Sequence, residues 1–379
     1  MKAILVLENG QWFAGASVGA PGESFGEVVF NTSLTGYQEV LTDPSYAGQI
    51  VTMTAPEIGN YGVTPEDVES RGLQVAGFVV RQSSPIASNW RAQGTLTDYL
   101  SRNGIVAIAG IDTRALTRVL RSAGVMRGAV ATGDVDPGTV LERVRETAPM
   151  EGQDLVRTVT CDRVFDWDPA SDAGEPSSAA YVVAPERRAG RRFRVAAYDL
   201  GMKWNILRRF DAYGCDVRVF PATAPASAVT GMAPDGVFFS NGPGDPAVLD
   251  YVVKNARGVV DAGLPVFGIC LGHQVLAQAL GGRTYKLKFG HRGTNHPVKF
   301  LRTGQVEITS QNHGFAVDAA SLPPDVEVTH VNLYDGTVEG VRHREQPVFC
   351  VQYHPEAAPG PHDADYLFRL FVEEMERRA

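Results

Sequence analysis

One cysteine lies between two glycines where the residue pattern changes from strand to helix. The sequence GICLG, residues 268–272, follows an apolar run and precedes a run with helical spacing. Glycines beside a nucleophile permit a strained strand-to-helix turn, because neighbouring backbone can approach without meeting a Cβ atom. A thiol on such a turn faces the amino end of the helix, where free N–H groups and the local dipole favour the thiolate. The pattern therefore predicts that Cys270 is a nucleophile.

The same turn and one glycine- and proline-rich loop predict donors for an oxyanion. The backbone N–H of Leu271 directly follows the nucleophile, which is the usual place for such a donor. The loop SNGPGDP, residues 240–246, is rigid and can bring backbone N–H groups close to a ligand. Gly242 is the candidate for the second donor. The loop matches neither a dinucleotide fingerprint nor a phosphate-binding loop.

A base and its orienting partner are predicted near the carboxyl terminus. In the sequence VFCVQYHPEAAPG, residues 348–353 resemble a strand and are followed by His354 and Glu356. Residues two apart on an extended backbone lie on one side, and the intervening proline stiffens the pair. Glu356 could therefore hold the imidazole while His354 serves Cys270. The alternative is an exposed loop without a role, and the cysteine turn makes that alternative weaker.

Composition restricts the class of protein. The chain has 379 residues, 44% hydrophobic and 21% charged, which is enough for two or three globular domains. A formal net charge of −8 argues against a nucleic-acid partner or an anionic membrane. The apolar run at the start is too short for a signal peptide or a membrane span, and no later stretch reaches about eighteen apolar residues. The expected location is the cytoplasm.

The cysteines and histidines argue against a disulfide framework and a metal site. Four cysteines lie far apart without a CxxC pair, and the histidines are not spaced as ligands. We therefore expect no metal on this chain. Cys161, Cys215 and Cys350 are expected to be small buried apolar side chains.

Three regions differ in pattern. Residues 1–150 predict a mixed domain, rich in strands but with helices, that begins with a hairpin whose turn is Glu8-Asn9-Gly10. Residues 151–192 are small, polar and then basic, which predicts a linker or peripheral segment. From residue 193 strands alternate with helices, so residues 193–379 predict an α/β domain with a mostly parallel sheet and flanking helices. Ligands of such sheets lie at the carboxyl ends of strands, where both glycine-rich stretches fall.

The motifs SNGPGDP, GICLGHQ and HPEA resemble, in order and in placement at strand ends, those of class I glutamine amidotransferases. Further stretches resemble the small chain of glutamine-hydrolysing carbamoyl-phosphate synthase: FNTSLTGYQEVLTDPSYAGQIV, IGNYG, GIDTRALTRVLR, FGHRGTNHPV, TSQNHGFAV and HPEAAPGPHDA. The first resemblance covers the chain from about residue 193, and the second covers nearly all of it. Residues 151–192 carry none of these motifs.

The resemblance implies a role for each matching residue. Cys270 would be the nucleophile, His354 and Glu356 would complete its triad, and Leu271 and Gly242 would offer the oxyanion amides. Ser45, in the first domain, would contact the amino-acid end of the substrate. The residues implied to bind glutamine are Ser45, Gly242, Gly244, Leu271, Gln274, Asn312, Gly314 and Phe315.

The resemblance also implies a reaction and a partner. The chain would hydrolyse L-glutamine through a γ-glutamyl thioester and pass ammonia to a large synthetase subunit. That subunit would use bicarbonate and two ATP, with Mg²⁺, to make carbamoyl phosphate for arginine and pyrimidine synthesis. No cofactor is expected on this chain, which has no nucleotide-binding motif. Two alternatives remain: a stand-alone cysteine hydrolase of the γ-glutamyl hydrolase type, and a degenerate amidotransferase fold that only binds or regulates.

Overall fold

The structure is a computed structural model that describes residues 1–171 and 191–378. The chain packs as two compact units. The first comprises Met1–Gln153 together with Lys288–Arg292, and the second comprises Asp154–Leu287 together with Gly293–Ala379. In the part of the chain described, no helix has the length and apolarity needed to cross a bilayer.

The first unit is built on a sheet that closes on itself. The strands of this unit are β1 Lys2–Leu7, β2 Trp12–Ser17, β3 Glu23–Asn31, β4 Gln49–Met53, β5 Glu57–Ile58, β6 Gly77–Val79, β7 Gln82–Ser83, β8 Val106–Ala109 and β9 Met126–Thr132. The closed sheet has the order β1-β2-β8-β6-β4-β3-β9, and β5 and β7 pair parallel with each other in a separate small sheet. The predicted hairpin is confirmed, since β1 and β2 pair antiparallel on either side of a turn in which Gly10 has φ +89°. The sequence pattern did not predict that this sheet closes. Closure leaves the sheet without exposed strand edges.

The helices of the first unit are α1 Tyr37–Thr42, α2 Leu96–Arg102, α3 Thr113–Ala123 and α4 Pro137–Glu146. Polar side chains cap the first turns of α2 and α3. Thr95 accepts a hydrogen bond from the Asp98 N–H at 3.2 Å, and Asp112 accepts one from the Ala115 N–H at 2.9 Å. Gly124 follows α3 with φ +106°.

The second unit is a ten-stranded sheet flanked by helices. The strands of this sheet are β10 Phe165–Asp166, β11 Phe193–Asp199, β12 Cys215–Pro221, β13 Gly236–Phe239, β14 Val266–Ile269, β15 Thr284–Phe300, β16 Val306–Val317, β17 Val326–Asn332, β18 Val338–His343 and β19 Val348–Val351. Within β15, residues Lys288–Arg292 belong to the first unit. Its helices are α5 Val156–Val159, α6 Trp204–Ala212, α7 Ala226–Gly231, α8 Asp250–Asp261, α9 Leu271–Ala279 and α10 Tyr366–Glu376.

The α/β class predicted for this unit is confirmed, and the parallel strands form one continuous part of the sheet. Strands β12, β11, β13, β14 and β19 pair parallel in that order. Beyond β19 the sheet continues through β18, β17 and β15 with antiparallel pairing. Buried apolar clusters lie on both faces, as expected for a parallel sheet covered by helices on each side.

Part of the segment expected to be a linker or peripheral segment packs with the second unit. Residues 154–171 belong to the second unit, where the Val156 side chain is fully buried and β10 pairs antiparallel with β12 at the edge of the sheet. An apolar residue with a complementary surface buries itself even within a largely polar segment. Residues 172–190 of the expected segment lie outside the described residues.

Candidate active site

Cys270 occupies the strand-to-helix turn that its glycine neighbours predicted. It follows β14 directly and precedes the first residue of α9, with φ 54° and ψ −104°. A positive φ is a strained conformation for a residue with a side chain, and such strain is concentrated at functional sites. Its backbone N–H donates to the Val351 carbonyl at 2.9 Å, which fixes the turn against the end of β19.

The two flanking glycines are required by close packing. A Cβ atom on Gly272 would lie 2.1 Å from the carbonyl oxygen of Phe239. A Cβ atom on Gly268 would lie 2.9 Å from the carbonyl carbon of Gly272. Neither position has room for a side chain, so GxCxG here reflects both the strained turn and the tight approach of α9 to the sheet.

The predicted oxyanion donors lie next to each other. Gly242 packs so closely against the turn after β11 that a Cβ atom would be 2.1 Å from the Leu200 carbonyl oxygen and 2.9 Å from the Leu271 side chain. Leu271 is the first residue of α9, and the first N–H groups of a helix have no partner within it. Gly244, in the same loop as Gly242, has φ +90°. This arrangement can present two backbone donors beside Cys270.

His354 and Glu356 form a buried pair just beyond β19. The Nδ1 atom of His354 lies 2.7 Å from Oε1 of Glu356, and both side chains are almost completely buried. The backbone N–H of His354 donates to the Ser310 carbonyl of β16 at 2.9 Å. The ring is thus held at Nδ1, which leaves Nε2 for proton transfer. Nε2 has no hydrogen bond within the described residues.

Neighbouring charges keep this pair ionised in spite of burial. Burial lowers the pKa of His354, but the Glu356 carboxylate and the Cys270 side chain outweigh it and raise the pKa to about 10. Burial raises the pKa of Glu356, but Lys203 and His354 outweigh it and bring the pKa to about 2. At neutral pH His354 is therefore a cation facing the thiol, the pairing that activates a cysteine nucleophile.

Lys203 is a second cation, besides His354, that contacts the Glu356 carboxylate. The sequence did not predict this role. Lys203 is 2% exposed, and its Nζ lies 3.2 Å from Oε1 of Glu356 while also donating to the Ala357 carbonyl. The neighbouring Asn205 donates from Nδ2 to the Glu356 carbonyl. One signal was available, because Lys203 follows closely after β11, at the carboxyl end of a parallel strand, where ligands of such sheets bind.

Lys203→Met is expected to lower the free energy of unfolding by about 3–5 kcal/mol, because it leaves a buried carboxylate without one of its two cationic partners. Urea unfolding followed by tryptophan fluorescence would measure this, since Trp167 and Trp204 both lie in the second unit. Lys254→Met is the matched control, because Lys254 is exposed on α8. Equal unfolding midpoints for the two variants would contradict the expectation.

Three of the residues predicted to bind substrate lie around Cys270. The Cys270 thiol donates to the Asn312 carbonyl at 3.5 Å. Gln274, on α9, donates from Nε2 to the Phe315 carbonyl at 2.9 Å and to Oε1 of Gln352 at 3.0 Å. These contacts join α9 to β16, the strand that contains Asn312, Gly314 and Phe315.

Ser45 lies in the first unit. It is 4% exposed in a short 3-10 turn, Pro44–Tyr46, and its backbone N–H donates to Oδ1 of Asp43 at 2.8 Å. Its predicted contact with glutamine stays a prediction.

The other three cysteines are free thiols, and they differ in burial. Cys215 and Cys350 are buried, as expected, and burial raises the pKa of the Cys215 thiol to about 12. Cys161 is only partly buried, so the expectation of a small buried apolar side chain is met only in part. It lies beside α5, in the segment that covers the end of β11, where its backbone N–H donates to Oδ2 of Asp199 at 2.8 Å and its side chain packs against a buried apolar cluster of the second unit.

Two family models match separate parts of the chain, and named relatives match it over nearly its whole length. The model of the "Carbamoyl-phosphate synthase small chain, CPSase domain" family matches residues 5–130, and that of "Glutamine amidotransferase class-I" matches residues 196–374. A relative from Syntrophotalea carbinolica is 54% identical over 100% of this chain and 98% of its own length. A relative from Synechococcus is 54% identical over 99% of this chain and 94% of its own length. A relative from Thioalkalivibrio sulfidiphilus is 51% identical over 98% of this chain and 97% of its own length. All three are named carbamoyl phosphate synthase small chain.

Proposed function

Because the chain belongs to the carbamoyl phosphate synthase small-chain family, we propose that it is the subunit that hydrolyses glutamine at Cys270 and supplies ammonia to a large synthetase subunit. The observation that supports this most is the position of Cys270. It lies on a strained turn at the start of α9, and the nearby His354 is held at Nδ1 by Glu356. A nucleophile, a base and an orienting carboxylate in this order form a triad for acyl transfer.

In the first half-reaction the Cys270 thiolate attacks the carboxamide carbon of the glutamine side chain. The carbonyl oxygen becomes an oxyanion that accepts hydrogen bonds from the N–H groups of Leu271 and Gly242. When the carbon–nitrogen bond breaks, His354 gives the proton on Nε2 to the departing nitrogen. The products are ammonia and a γ-glutamyl thioester on Cys270.

In the second half-reaction His354 is neutral and serves as the base. It takes a proton from a water molecule, whose oxygen attacks the thioester carbon. The carbon–sulfur bond then breaks, so that glutamate leaves and Cys270 returns to the thiolate with His354 protonated. The Glu356 carboxylate keeps the ring oriented through both steps and stabilises its positive charge.

The proposed substrate pocket uses the predicted set of residues. Asn312, Gly314 and Phe315 would line one side from β16, and Gln274 would line another from α9. Gly242 and Gly244 would approach through the rigid loop after β13. Ser45 enters this proposal from the family resemblance alone.

The proposed partner is the large subunit, which would convert bicarbonate and ammonia into carbamoyl phosphate with two ATP. Under this proposal ATP and Mg²⁺ act on the large subunit, and the small chain needs no cofactor of its own. The small chain then contributes only glutamine hydrolysis and ammonia transfer.

The test is to purify the chain with its associated proteins from native cells and to assay the product with glutamine or free ammonia as nitrogen donor. We expect a larger ATP-binding chain to co-purify and carbamoyl phosphate to form with either donor. Glutaminase activity without such a partner, and without carbamoyl phosphate synthesis, would instead favour a stand-alone hydrolase. A chain that binds glutamine without releasing ammonia would favour a degenerate binding module.

A further inference from the structure

The turn that follows β11, residues 200–203, supports the loop that carries one proposed oxyanion donor. The Leu200 N–H donates to Oγ of Ser240 at 2.9 Å. The Leu200 carbonyl lies against Gly242 so closely that a Cβ atom there would be 2.1 Å from its oxygen. The position of the Gly242 N–H is therefore set by where this turn lies.

The same turn continues to the other side of the proposed site. The backbone N–H of Lys203 donates to Oδ1 of Asn241 at 3.1 Å, while its Nζ lies 3.2 Å from Oε1 of Glu356. Four consecutive residues thus contact both the oxyanion loop and the carboxylate that orients His354. A displacement of the turn would disturb both at once.

One carboxylate organises this turn. Asp199, the last residue of β11, accepts hydrogen bonds at Oδ1 from the N–H groups of Gly201 and Met202, at 2.9 and 2.8 Å. Its Oδ2 accepts one from the Cys161 N–H at 2.8 Å. Three backbone donors on one side chain leave the turn little freedom to move.

The segment around α5 encloses the turn from outside. Oγ1 of Thr160 donates to the Asp199 carbonyl at 2.6 Å and accepts from the Ala222 N–H at 2.9 Å. A Cβ atom on Gly201 would lie 2.9 Å from the Val159 side chain and 3.2 Å from Cα of Gly242. The turn is therefore packed between this segment and the oxyanion loop.

We propose that Asp199, held by the segment that includes Thr160, is a positioning residue that fixes the turn at residues 200–203 and thereby the oxyanion loop and Glu356. The inference rests on the proposed function. Backbone donors stabilise an oxyanion only at hydrogen-bonding distance from the developing charge, and a displacement of about 1 Å costs about 100-fold in rate. Asp199 does not touch the reacting atoms, so it acts through the residues it holds.

Asp199→Asn is the first test. It keeps one acceptor oxygen for Gly201 and Met202 but replaces the other with an NH₂ group that faces the Cys161 N–H, so two donors oppose each other. We expect kcat for glutamine hydrolysis by the complex to fall about 10–100-fold while KM changes less than about 3-fold, because oxyanion stabilisation acts in the transition state. Ammonia-dependent synthesis should not change.

Asp235→Asn is the matched control. Asp235 also accepts a backbone hydrogen bond, from the Arg194 N–H at 2.7 Å, but at the amino end of β11, away from the turn. Its kcat should stay within about 3-fold of wild type, since it positions nothing in the site. If Asp199→Asn gives the same kcat as Asp235→Asn, or changes only KM, the inference is overturned.

Thr160→Val decides the question if Asp199→Asn does not fold at the assay temperature. It preserves the shape of the side chain and removes the contacts with Asp199 and Ala222. We expect kcat to fall about 3–10-fold with KM retained, and an unchanged kcat would overturn the inference. A wild-type complex without any glutaminase activity would instead overturn the proposed function, so the two failures are distinguishable.

Discussion

Cys270→Ser is expected to abolish glutamine-dependent carbamoyl phosphate synthesis by the complex and to leave ammonia-dependent synthesis intact. The attacking form of Cys270 is the thiolate, which the His354 imidazolium stabilises. A serine hydroxyl stays neutral at neutral pH, so the variant has no ionised nucleophile. Loss of a nucleophile from a catalytic triad lowers kcat by up to about 10⁶-fold. Glutamine hydrolysis should therefore fall at least about 10⁴-fold. Steady-state assays of the same preparation with each nitrogen donor would measure both effects.

The control for this experiment is Cys215→Ser. Cys215 is buried in β12 and takes no part in the candidate site, so its substitution should change stability at most. A Cys270→Ser variant that hydrolyses glutamine near the wild-type rate would rule out Cys270 as the nucleophile. Loss of ammonia-dependent synthesis together with glutamine hydrolysis would instead indicate a disrupted complex.

Local features of the candidate site could be predicted because their signals lie in adjacent residues. The turn at Cys270 follows from two glycines, a preceding strand and a following helix within about fifteen residues. The pair of His354 and Glu356 follows from a spacing of two. In both cases the local backbone conformation sets the direction of the side chains, and contacts with distant residues then hold them.

The role of Lys203 could not be predicted in this way, because its partner Glu356 is 153 residues away in sequence. A lysine after a strand is ordinarily exposed, and only the packing of α6 against the residues after β19 buries this one. The role of Asp199 could not be predicted for the same reason. Its carboxylate accepts hydrogen bonds from N–H groups in its own turn, but also from the N–H of Cys161, 38 residues earlier. Contacts of this kind depend on the order of strands in the sheet.

In the fold, too, local patterns could be predicted from the sequence and contacts between distant residues could not. The alternation of strands and helices from residue 193 predicted the parallel part of the sheet, because each βαβ unit is a local pattern. It did not predict that β18, β17 and β15 extend the sheet by antiparallel pairing. Nor did the polar composition of residues 154–171 predict a buried Val156, because burial there depends on a surface made by distant residues.

Glu356→Gln is expected to lower kcat for glutamine hydrolysis strongly, but less than His354→Asn does. In a comparable triad, loss of the orienting carboxylate costs about 10⁴-fold and loss of the histidine about 10⁶-fold. The remaining amide oxygen of the variant can still accept hydrogen bonds from His354 Nδ1 and Lys203 Nζ, which both contact Oε1. Orientation is thus partly retained, and the main loss is the negative charge. Equal losses of kcat would mean that Glu356 does more than orient the ring.

The pH dependence of the same variant isolates the charge. In the wild type the Glu356 carboxylate is the main cause that raises the pKa of His354 to about 10, so activity that needs the imidazolium should decline only as the pH rises through that value. Burial lowers the pKa of His354, and without the carboxylate the largest opposing cause is gone, so the pKa falls. The alkaline limb of kcat/KM should therefore move to lower pH in Glu356→Gln, and not in Glu345→Gln, whose side chain is exposed. An unmoved limb would show that a group other than His354 donates the proton to the departing nitrogen.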